Sequence, residues 1–281
     1  MDLNQLRRVI ITAVFADDEL LETLVLKGGS ALNLIHGIGT RSSLDLDFSM
    51  DGDFASVENA RVRLVSTLEN RLDAHGLVVF DARFSAKPST PIDGHPEWGG
   101  YMLKFKLIEL RDFERLDGRI EDLRRQSFEV NGPGAQRTFK IDISKYEYCD
   151  GKEQIEIDDF ACYVYTPAMI AAEKLRAICQ QLPDYPMVRH KRGRARDFYD
   201  VHNIVVEGGV VLSSDENVAL VRNVFEAKKV PEGLLRKLGD QRDFHAADWP
   251  AIVDSIVGEA QSFDCYFDFV STEVQKLIDR L

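Results

Sequence analysis

Long apolar runs are missing from this 281-residue sequence. No stretch reaches the roughly eighteen consecutive apolar residues that a membrane-spanning helix needs. The first residues, MDLNQLRRVIITAVFADDEL, also lack the basic start, apolar centre and small-residue cleavage site of a secretory signal peptide. We therefore expect a cytoplasmic protein that does not contact a membrane.

Cysteine is scarce, and positive charge is outnumbered. The four cysteines form no CxxC pair and no zinc-ligand spacing, which favours a reducing compartment over a disulfide scaffold. With 47 acidic against 35 basic residues, the net charge of −12 argues against a protein that coats nucleic acid indiscriminately. The acidic remainder could instead serve a basic protein partner.

Basic residues are nevertheless concentrated in one run, RHKRGRAR, at residues 189–196. Two interpretations are open for it: a solvated loop, or a rim that contacts the phosphates of a nucleic acid. The candidates for such a rim are Arg189, Lys191, Arg192, Arg194 and Arg196.

The apolar periodicity changes near Tyr165. Upstream of it, strand-type and helix-type patterns alternate, whereas the downstream pattern is helical almost to the end. Thr166 followed by Pro167 is typical of a helix start, with threonine at the N-cap and proline in the first turn. We therefore predict an α+β fold, with a mixed α/β domain at residues 1–165 and an all-helical domain at residues 166–281.

Individual elements follow from the same patterns. Before the boundary, the sequence predicts helices over residues 3–16, 30–36, 55–74 and 111–127, and strands over residues 24–26, 44–49, 77–80, 101–108, 139–143 and 160–165. After the boundary, it predicts helices over residues 167–181, 194–207, 214–227, 231–238, 249–260 and 264–280. Residues 86–100, with three prolines and three glycines, are predicted to form a loop.

A turn with two glycines and a serine, Gly28-Gly29-Ser30, follows the strand predicted at residues 24–26. An isolated pair of glycines usually marks a tight turn that needs positive φ. Here Ser30 is predicted to be the N-cap of the next helix. The backbone N–H groups of such a turn can also bind a phosphate.

Two aspartates, Asp45 and Asp47, flank one leucine in the apolar run LDLDF. Residues i and i+2 of a strand point to the same face, so both carboxylates can share one divalent cation of the Mg²⁺ kind. An isolated pair of this kind is commonly a solvated strand edge, but carboxylates in an apolar setting are costly unless a cation compensates them. If the strand of Asp142 is adjacent, three carboxylates converge; otherwise Asp142 is an ordinary edge-strand residue.

The helical region contributes further charged groups. Lys174 lies among small apolar neighbours on its helix, where it either snorkels to solvent or reaches the oxygens of a triphosphate. Asp197 and Asp200 are three residues apart and share one face of the next helix. They either pair with an arginine of the same helix, or position Lys174 or the bound nucleotide.

Four blocks of the sequence together resemble a known family. KGGSAL, RSSLDLDF, AEKLRAI and RARDFYDV, between Lys27 and Val201, are similar in order and spacing to the AbiEii/AbiGii-type nucleotidyltransferase toxins, including the MenT-like enzymes. These toxins belong to the DNA-polymerase-β-like nucleotidyltransferase superfamily. The resemblance implies a nucleotidyltransferase domain with a mixed sheet and a helical C-terminal domain that completes the active-site cleft. It also implies type IV toxin–antitoxin or phage-abortive-infection biology.

Matched positions imply the roles of individual residues. The implied metal ligands are Asp45, Asp47 and Asp142. The implied nucleotide-binding residues are Gly28, Gly29, Ser30, Arg41, Ser43 and Lys174. The implied catalytic set adds Lys174 and Asp197 to the three aspartates.

The reaction implied is the Mg²⁺- or Mn²⁺-dependent transfer of NMP from an NTP to an acceptor hydroxyl. MenT-like members modify tRNA acceptor ends and so block translation, which makes tRNA the expected acceptor and a cognate antitoxin protein an expected partner. A small-molecule nucleotidyltransferase and a non-catalytic partner-binding module remain open as alternatives. Because a phosphate on Ser30 would add negative charge where the triphosphate must lie, Ser30 is also a candidate regulatory site.

Overall fold

The computed structural model describes residues 1–40, 45–90, 92–130 and 136–281 of the chain. These residues form two compact units. The first contains residues 1–30, 153–164 and the described part of 43–149, and the second contains residues 150–152, 165–281 and the described part of 31–42.

One mixed sheet organises the first unit. In the described residues its seven strands are β1 (Val25–Lys27), β2 (Leu46–Ser49), β3 (Leu77–Lys87), β4 (Gly100–Glu109), β5 (Phe139–Ser144), β6 (Glu153–Ile157) and β7 (Phe160–Val164). Their order in space is β3-β4-β5-β2-β1-β7-β6. The pairs β2–β5 and β1–β7 are parallel and the others antiparallel, so the predicted α+β fold with a mixed sheet is confirmed.

The helices of the first unit pack against the strands of this sheet. They are α1 (Leu3–Phe15), α2 (Asp18–Thr23), the single turn α3 (Gly28–Ser30), α4 (Val57–Asp73), α5 (Leu110–Leu116) and α6 (Ile120–Gln126). Helices α1 and α4 pack on each other, and also on β7 and β3 respectively. The buried residues of α4 recur every fourth position, at Ala60, Leu64, Leu68 and Leu72, which gives this helix one apolar stripe.

Strand β5 determines which face of the sheet stays polar. Phe139, Ile141 and Ile143 are buried, whereas Lys140 and Asp142 between them are half-buried on the opposite face. This alternation is the period of two expected for a strand with one face in the core. Asp142 therefore faces away from its isoleucine neighbours.

Helices dominate the second unit. Within the described residues they are α7 (Pro167–Cys179), α8 (Ala195–Val206), α9 (Asp215–Ala227), α10 (Arg242–Ala246), α11 (Trp249–Val253) and α12 (Phe263–Ile278), with a π-helix at Ala31–Ile35 and a 3₁₀-helix at Glu232–Gln241. The ring of Phe198 on α8 lies 5.5 Å and 5.0 Å from those of Phe263 and Phe267 on α12, which joins the two helices. The predicted start of α7 is confirmed: Thr166 is the N-cap, its hydroxyl accepts from the N–H of Met169, and Pro167 follows.

Several elements differ from the sequence prediction. The helix predicted over residues 111–127 is two helices, because Asp117 and Gly118 adopt positive φ values of 46° and 73° and end α5. Helices α2 and α10 and strand β6 were not predicted, and α11 ends at Val253 rather than at residue 260. No helix among the described residues is long and apolar enough to cross a membrane.

Candidate active site

Two of the predicted carboxylates lie side by side on the polar face of the sheet. Asp47 on β2 and Asp142 on β5 are direct partners in the parallel ladder, where neighbouring strands are about 4.8 Å apart. Asp45 comes immediately before β2, two residues from Asp47. The strand of Asp142 is thus adjacent to that of Asp47, and Asp142 is not on an edge strand.

Lysines that the sequence prediction missed contact these carboxylates. The Nζ of Lys87, at the end of β3, donates to Oδ2 of Asp142. The Nζ of Lys140 lies 3.7 Å from Oδ1 of Asp45. Both contacts depend on long-range strand register, so local sequence patterns could not reveal them.

The donor chemistry fits a hard divalent cation. Mg²⁺ prefers oxygen ligands, and it is commonly held by one or two carboxylates together with substrate phosphates and water. Asp47 and Asp142 offer such a pair, and Asp45 is close in sequence. Within the described part of the chain, no group of three or more His, Cys, Asp or Glu side chains is gathered tightly enough to enclose a metal by itself. This donor set therefore suits a cation that shares its ligands with a substrate.

Gly28 packs directly against the Asp47 carboxylate. Its φ is +70°, a conformation that strongly favours glycine, and a Cβ added there would lie 2.5 Å from Oδ2 of Asp47. The turn at Gly28 and the carboxylate on β2 are therefore in close contact, and no side chain fits between them.

Ser30 does not occupy the predicted N-cap position. The helical segment begins at Gly28, so Ser30 lies inside it, and the chain continues as the π-helix from Ala31. The Ser30 hydroxyl donates to the backbone carbonyl of Asp45 at 2.9 Å and ties the turn to the start of β2. Because Ser30 is only 1% exposed, phosphorylation would require this turn to open.

We expect Gly28→Ala to reduce activity more than strain alone explains. The substitution forces a side chain into positive φ and into contact with Asp47, which should cost about 1–3 kcal/mol and displace the carboxylate. Gly76→Ala is the matched control, because Gly76 has φ +69° but no atom within 4 Å of an added Cβ. Chemical denaturation and NTP turnover of both variants measure the difference. Equal turnover in the two variants would show that the close contact with Asp47 has no role in activity.

A buried ion pair lies beside this turn. Lys27 precedes Gly28 and is the antiparallel partner of Asp47, and its Nζ lies 3.6 Å from Oε1 of Glu147. Both side chains are almost fully buried. Glu147 follows β5 by three residues, and no local pattern in the sequence distinguishes it.

The second unit brings together the other predicted charges. The Nζ of Lys174 on α7 lies 3.0 Å from Oδ1 of Asp197 and 2.6 Å from Oδ2 of Asp200, both on α8. Asp197 also has Nη1 of Arg194 at 3.3 Å from its Oδ2. All three members of the Lys174 cluster (Lys174, Asp197 and Asp200) are buried. Burial by itself would raise the pKa of Asp197, but the neighbouring cations, Lys174 first, hold it well below its ordinary value.

The first turn of α8 is capped by residues from far along the chain. Arg194 is the N-cap, but its own side chain caps nothing. Instead the N–H of Arg194 donates to Nδ1 of His245 at 3.1 Å, and the N–H of Ala195 donates to Oδ1 of Asp248 at 3.2 Å. Gly193 leaves room for Asp248, because a Cβ there would lie 2.6 Å from its Oδ1. The position of Asp197 on α8 thus depends on residues about fifty positions downstream, and the sequence prediction missed them.

His245 should make the second unit sensitive to acid. Burial lowers the pKa of His245 from 6.5 to about 4. The unfolded chain binds this proton below pH 6.5 and the folded chain only below about pH 4. Unfolding free energy should therefore fall by about 3 kcal/mol as the pH drops across this window.

Urea titrations of Trp249 fluorescence in a Trp98→Phe background measure this effect, since the chain has two tryptophans. In His245→Gln the pH slope should be largely lost, whereas His75→Gln, at an exposed position, should keep it. An unaltered slope in His245→Gln would exclude His245 as its origin.

The basic run is not uniform. Arg189, Arg192 and Arg196 are exposed. Lys191 instead donates its Nζ to the carbonyls of Gln180 at 3.1 Å and Tyr185 at 2.5 Å, so its charge stabilises the end of the α7 segment. We therefore remove Lys191 from the predicted rim. Arg194 is engaged with Asp197, as described above.

The remaining nucleotide-binding candidates, Arg41 and Ser43, lie outside the described residues. The described candidates fall into two groups. Gly28, Gly29, Ser30 and the three aspartates belong to the first unit, and Lys174, Asp197 and the basic run belong to the second.

Known proteins share the fold of this chain rather than a close sequence. No curated protein is significantly similar in sequence. Among solved structures, JHP933 from Helicobacter pylori aligns over 99% of this chain and 90% of its own with 20% identity and a TM-score of 0.50, a likeness in fold alone. MenT4, a nucleotidyltransferase toxin from Mycobacterium tuberculosis H37Rv, aligns over 99% of this chain and 83% of its own with 14% identity and a TM-score of 0.49.

A family model described as "Nucleotidyl transferase AbiEii toxin, Type IV TA system" matches residues 9–269, which is most of the chain. This match confirms the resemblance drawn from the four sequence blocks. The chain is therefore a nucleotidyltransferase and belongs to the AbiEii toxin family of type IV toxin–antitoxin systems.

Proposed function

We propose that this nucleotidyltransferase moves an NMP group from an NTP to the 3′-terminal hydroxyl of a tRNA, with Mg²⁺ or Mn²⁺ as cofactor. The new bond joins the acceptor oxygen to the α-phosphorus, the bond from the α-phosphorus to the pyrophosphate oxygen breaks, and pyrophosphate leaves. A tRNA extended in this way cannot be aminoacylated normally, so translation would stop.

One observation carries the catalytic part of this proposal. Asp47 and Asp142 are neighbours across the β2–β5 ladder, and Gly28 packs against Asp47. A turn suited to phosphate and a pair of carboxylates thus lie in contact within one unit. Nucleotidyl transfer needs this combination, because the triphosphate must be held in place while the acceptor oxygen is positioned next to its α-phosphorus.

Each group in the first unit has a proposed task. Backbone N–H groups of Gly28, Gly29 and Ser30 would orient the β- and γ-phosphates. Asp45, Asp47 and Asp142 would supply the carboxylate oxygens for the cation, and Asp142 would accept the proton of the acceptor hydroxyl. A bound divalent cation supplies charge neutralisation at the phosphoryl oxygens and lowers the pKa of the acceptor hydroxyl.

Residues outside this group keep the roles implied by the family resemblance. Lys174 would neutralise the triphosphate as a point charge, and Asp197 would hold that lysine in place. The contacts between Lys174 and Asp197 support the second role. Arg41 and Ser43 would assist nucleotide binding, and a cognate antitoxin protein would control the toxin.

Incubation of the purified protein with total tRNA and each α-³²P-labelled NTP in turn tests the proposal. We expect one or more labels to enter tRNA in the presence of MgCl₂ or MnCl₂ and not in EDTA. Periodate oxidation of the tRNA 3′ end should block incorporation. Incorporation that survives periodate treatment, or no incorporation with any NTP, would contradict the proposed acceptor.

The exposed arginines of the basic run should contribute to acceptor binding. We expect Arg189→Ala/Arg192→Ala to raise the KM for tRNA and flatten its salt dependence, because two phosphate contacts are lost, with NTP affinity nearly unchanged. Arg222→Ala/Arg236→Ala removes the same charge from exposed positions of the second unit and serves as the control. If both double variants behave alike, the run is an ordinary solvated loop.

A further inference from the structure

A row of three cations crosses the polar face of the sheet in the first unit. In the antiparallel ladders, Arg83 on β3 is the direct partner of Lys104 on β4, and Lys104 is in turn the partner of Lys140 on β5. Side chains of direct partners lie on the same face of a sheet. We call Arg83, Lys104 and Lys140 the cationic row.

The cationic row runs directly beside the carboxylate pair. Asp142 follows Lys140 on β5 by two residues, which is about 6.6 Å along a strand, and Asp47 is the next partner across the sheet. The row therefore leads away from the proposed site of transfer across three neighbouring strands. Its two outer strands are about 10 Å apart, given strand spacings of about 4.8 Å.

The three side chains of the row are all positively charged, so none of them can neutralise another. Like charges directly opposite on neighbouring strands repel and destabilise the pairing. Arg83 has Asp81 at 3.1 Å and Lys140 has Asp45 at 3.7 Å, but Lys104 between them makes no ion pair with the described residues. Arg83 and Lys104 are both exposed. In a chain of net charge −12, such a row is suited to an external polyanion.

The extent of the row favours an extended ligand. The row spans three neighbouring strands, and its exposed members Arg83 and Lys104 lie beyond the carboxylates that the NTP would occupy. A stripe of cations along one face is the electrostatic footprint of nucleic-acid backbone binding. An acceptor whose 3′ end lies at Asp47 and Asp142 would have its own backbone phosphates over these strands.

We propose that the cationic row binds the phosphodiester backbone of the acceptor RNA next to its reacting 3′ end. The proposal rests on the proposed function, because it takes RNA to be the acceptor. It assigns Arg83 and Lys104 to acceptor binding, a role that the sequence prediction gave only to residues of the second unit.

The test uses Arg83→Thr/Lys104→Thr in the full chain, with fluorescein-labelled total tRNA as the probe and no NTP present. Lys140 is kept because it contacts Asp45. We expect tRNA affinity to fall at least about tenfold at 150 mM KCl, and the slope of log affinity against log salt to decrease by about two. The thermal midpoint should stay constant or rise, because a like-charge pair is removed.

The control is Arg111→Gln/Arg115→Gln, which removes the same charge from exposed positions on α5. This control should bind tRNA like the wild type. If both double variants lost tRNA affinity equally, the effect would be one of net charge and the proposal would be overturned. Unchanged tRNA affinity in Arg83→Thr/Lys104→Thr would overturn it as well. Displacement of labelled tRNA by polyglutamate as readily as by unlabelled tRNA would also overturn it, in favour of an acidic protein ligand.

Two separate measurements distinguish a failure of this proposal from a failure of the proposed function. Label incorporation from NTP into tRNA tests the proposed function in the wild type, whereas binding without NTP tests the row. If the wild type incorporates label normally but Arg83→Thr/Lys104→Thr binds tRNA as tightly as the wild type, only the proposed role of the cationic row is overturned. Row-dependent binding without incorporation supports the row and overturns the proposed function.

Discussion

Asp47→Ala and Asp45→Ala should each abolish nucleotide transfer without unfolding the chain. Losing a carboxylate proposed to hold the catalytic cation should slow transfer on the order of a thousandfold or more. The fold should survive, because both residues are half-buried on the polar face and the buried face of β2 is unchanged. The thermal midpoint of Asp47→Ala should stay unchanged or rise, because Asp47 lies directly opposite the like charge of Asp142.

Cation binding provides a readout that does not depend on activity. A cation that binds only the folded chain stabilises it by mass action, about 2.7 kcal/mol at one hundred times its dissociation constant. MgCl₂ or MnCl₂ should therefore raise the thermal midpoint of the wild type but have little effect on Asp47→Ala. Glu156→Ala, on the exposed edge strand β6, is the control and should keep both transfer and the thermal shift. Near-normal transfer in both aspartate variants would overturn the metal assignment of this pair.

Local patterns were sufficient for much of the fold. The alternation on β5 indicates that Asp142 faces away from the core, and the Thr166-Pro167 signal gives the start of α7. Both depend on neighbours within a few residues, whose effect on backbone and burial is direct. The same applies to the apolar stripe of α4.

Strand order and register determine the parts that the sequence did not predict. Lys87 contacts Asp142 although 55 residues separate them, and the cationic row exists only because β3, β4 and β5 pair in one register. Similarly, His245 and Asp248 cap α8 from another helical segment. All of these residues are visible in the sequence, but the sequence does not show which of them are in contact. Tertiary packing determines those contacts.

Lys174 contributes to stability as well as to the proposed chemistry, and its substitution should have a large effect on both. Lys174→Met leaves the buried carboxylates of Asp197 and Asp200 without the ammonium that lies within 3.0 Å of each. Breaking a buried ion pair on one side typically costs 3–5 kcal/mol, so we expect a loss of about that size in the second unit. Lys237→Met breaks an exposed pair with Asp184 and should cost less than about 1 kcal/mol.

Structural and chemical roles of Lys174 can be separated by neutralising its partners. The variant Lys174→Met/Asp197→Asn/Asp200→Asn removes both buried charges and should recover most of the lost stability, measured by urea titration of Trp249 fluorescence. It should still fail to transfer nucleotide, with a weakened affinity for NTP, because the cation proposed to face the triphosphate is absent.

The stability contributed by the Lys174 cluster should depend on pH in a defined direction. Since the folded-state pKa of Asp197 is lowered, the stability it contributes is present above the unfolded pKa of about 3.9 and is lost as the pH falls below it. The stability gap between wild type and Lys174→Met should therefore narrow under acid. If the triple variant is folded and binds NTP like the wild type, Lys174 is a buried structural cation and has no place in the nucleotide site.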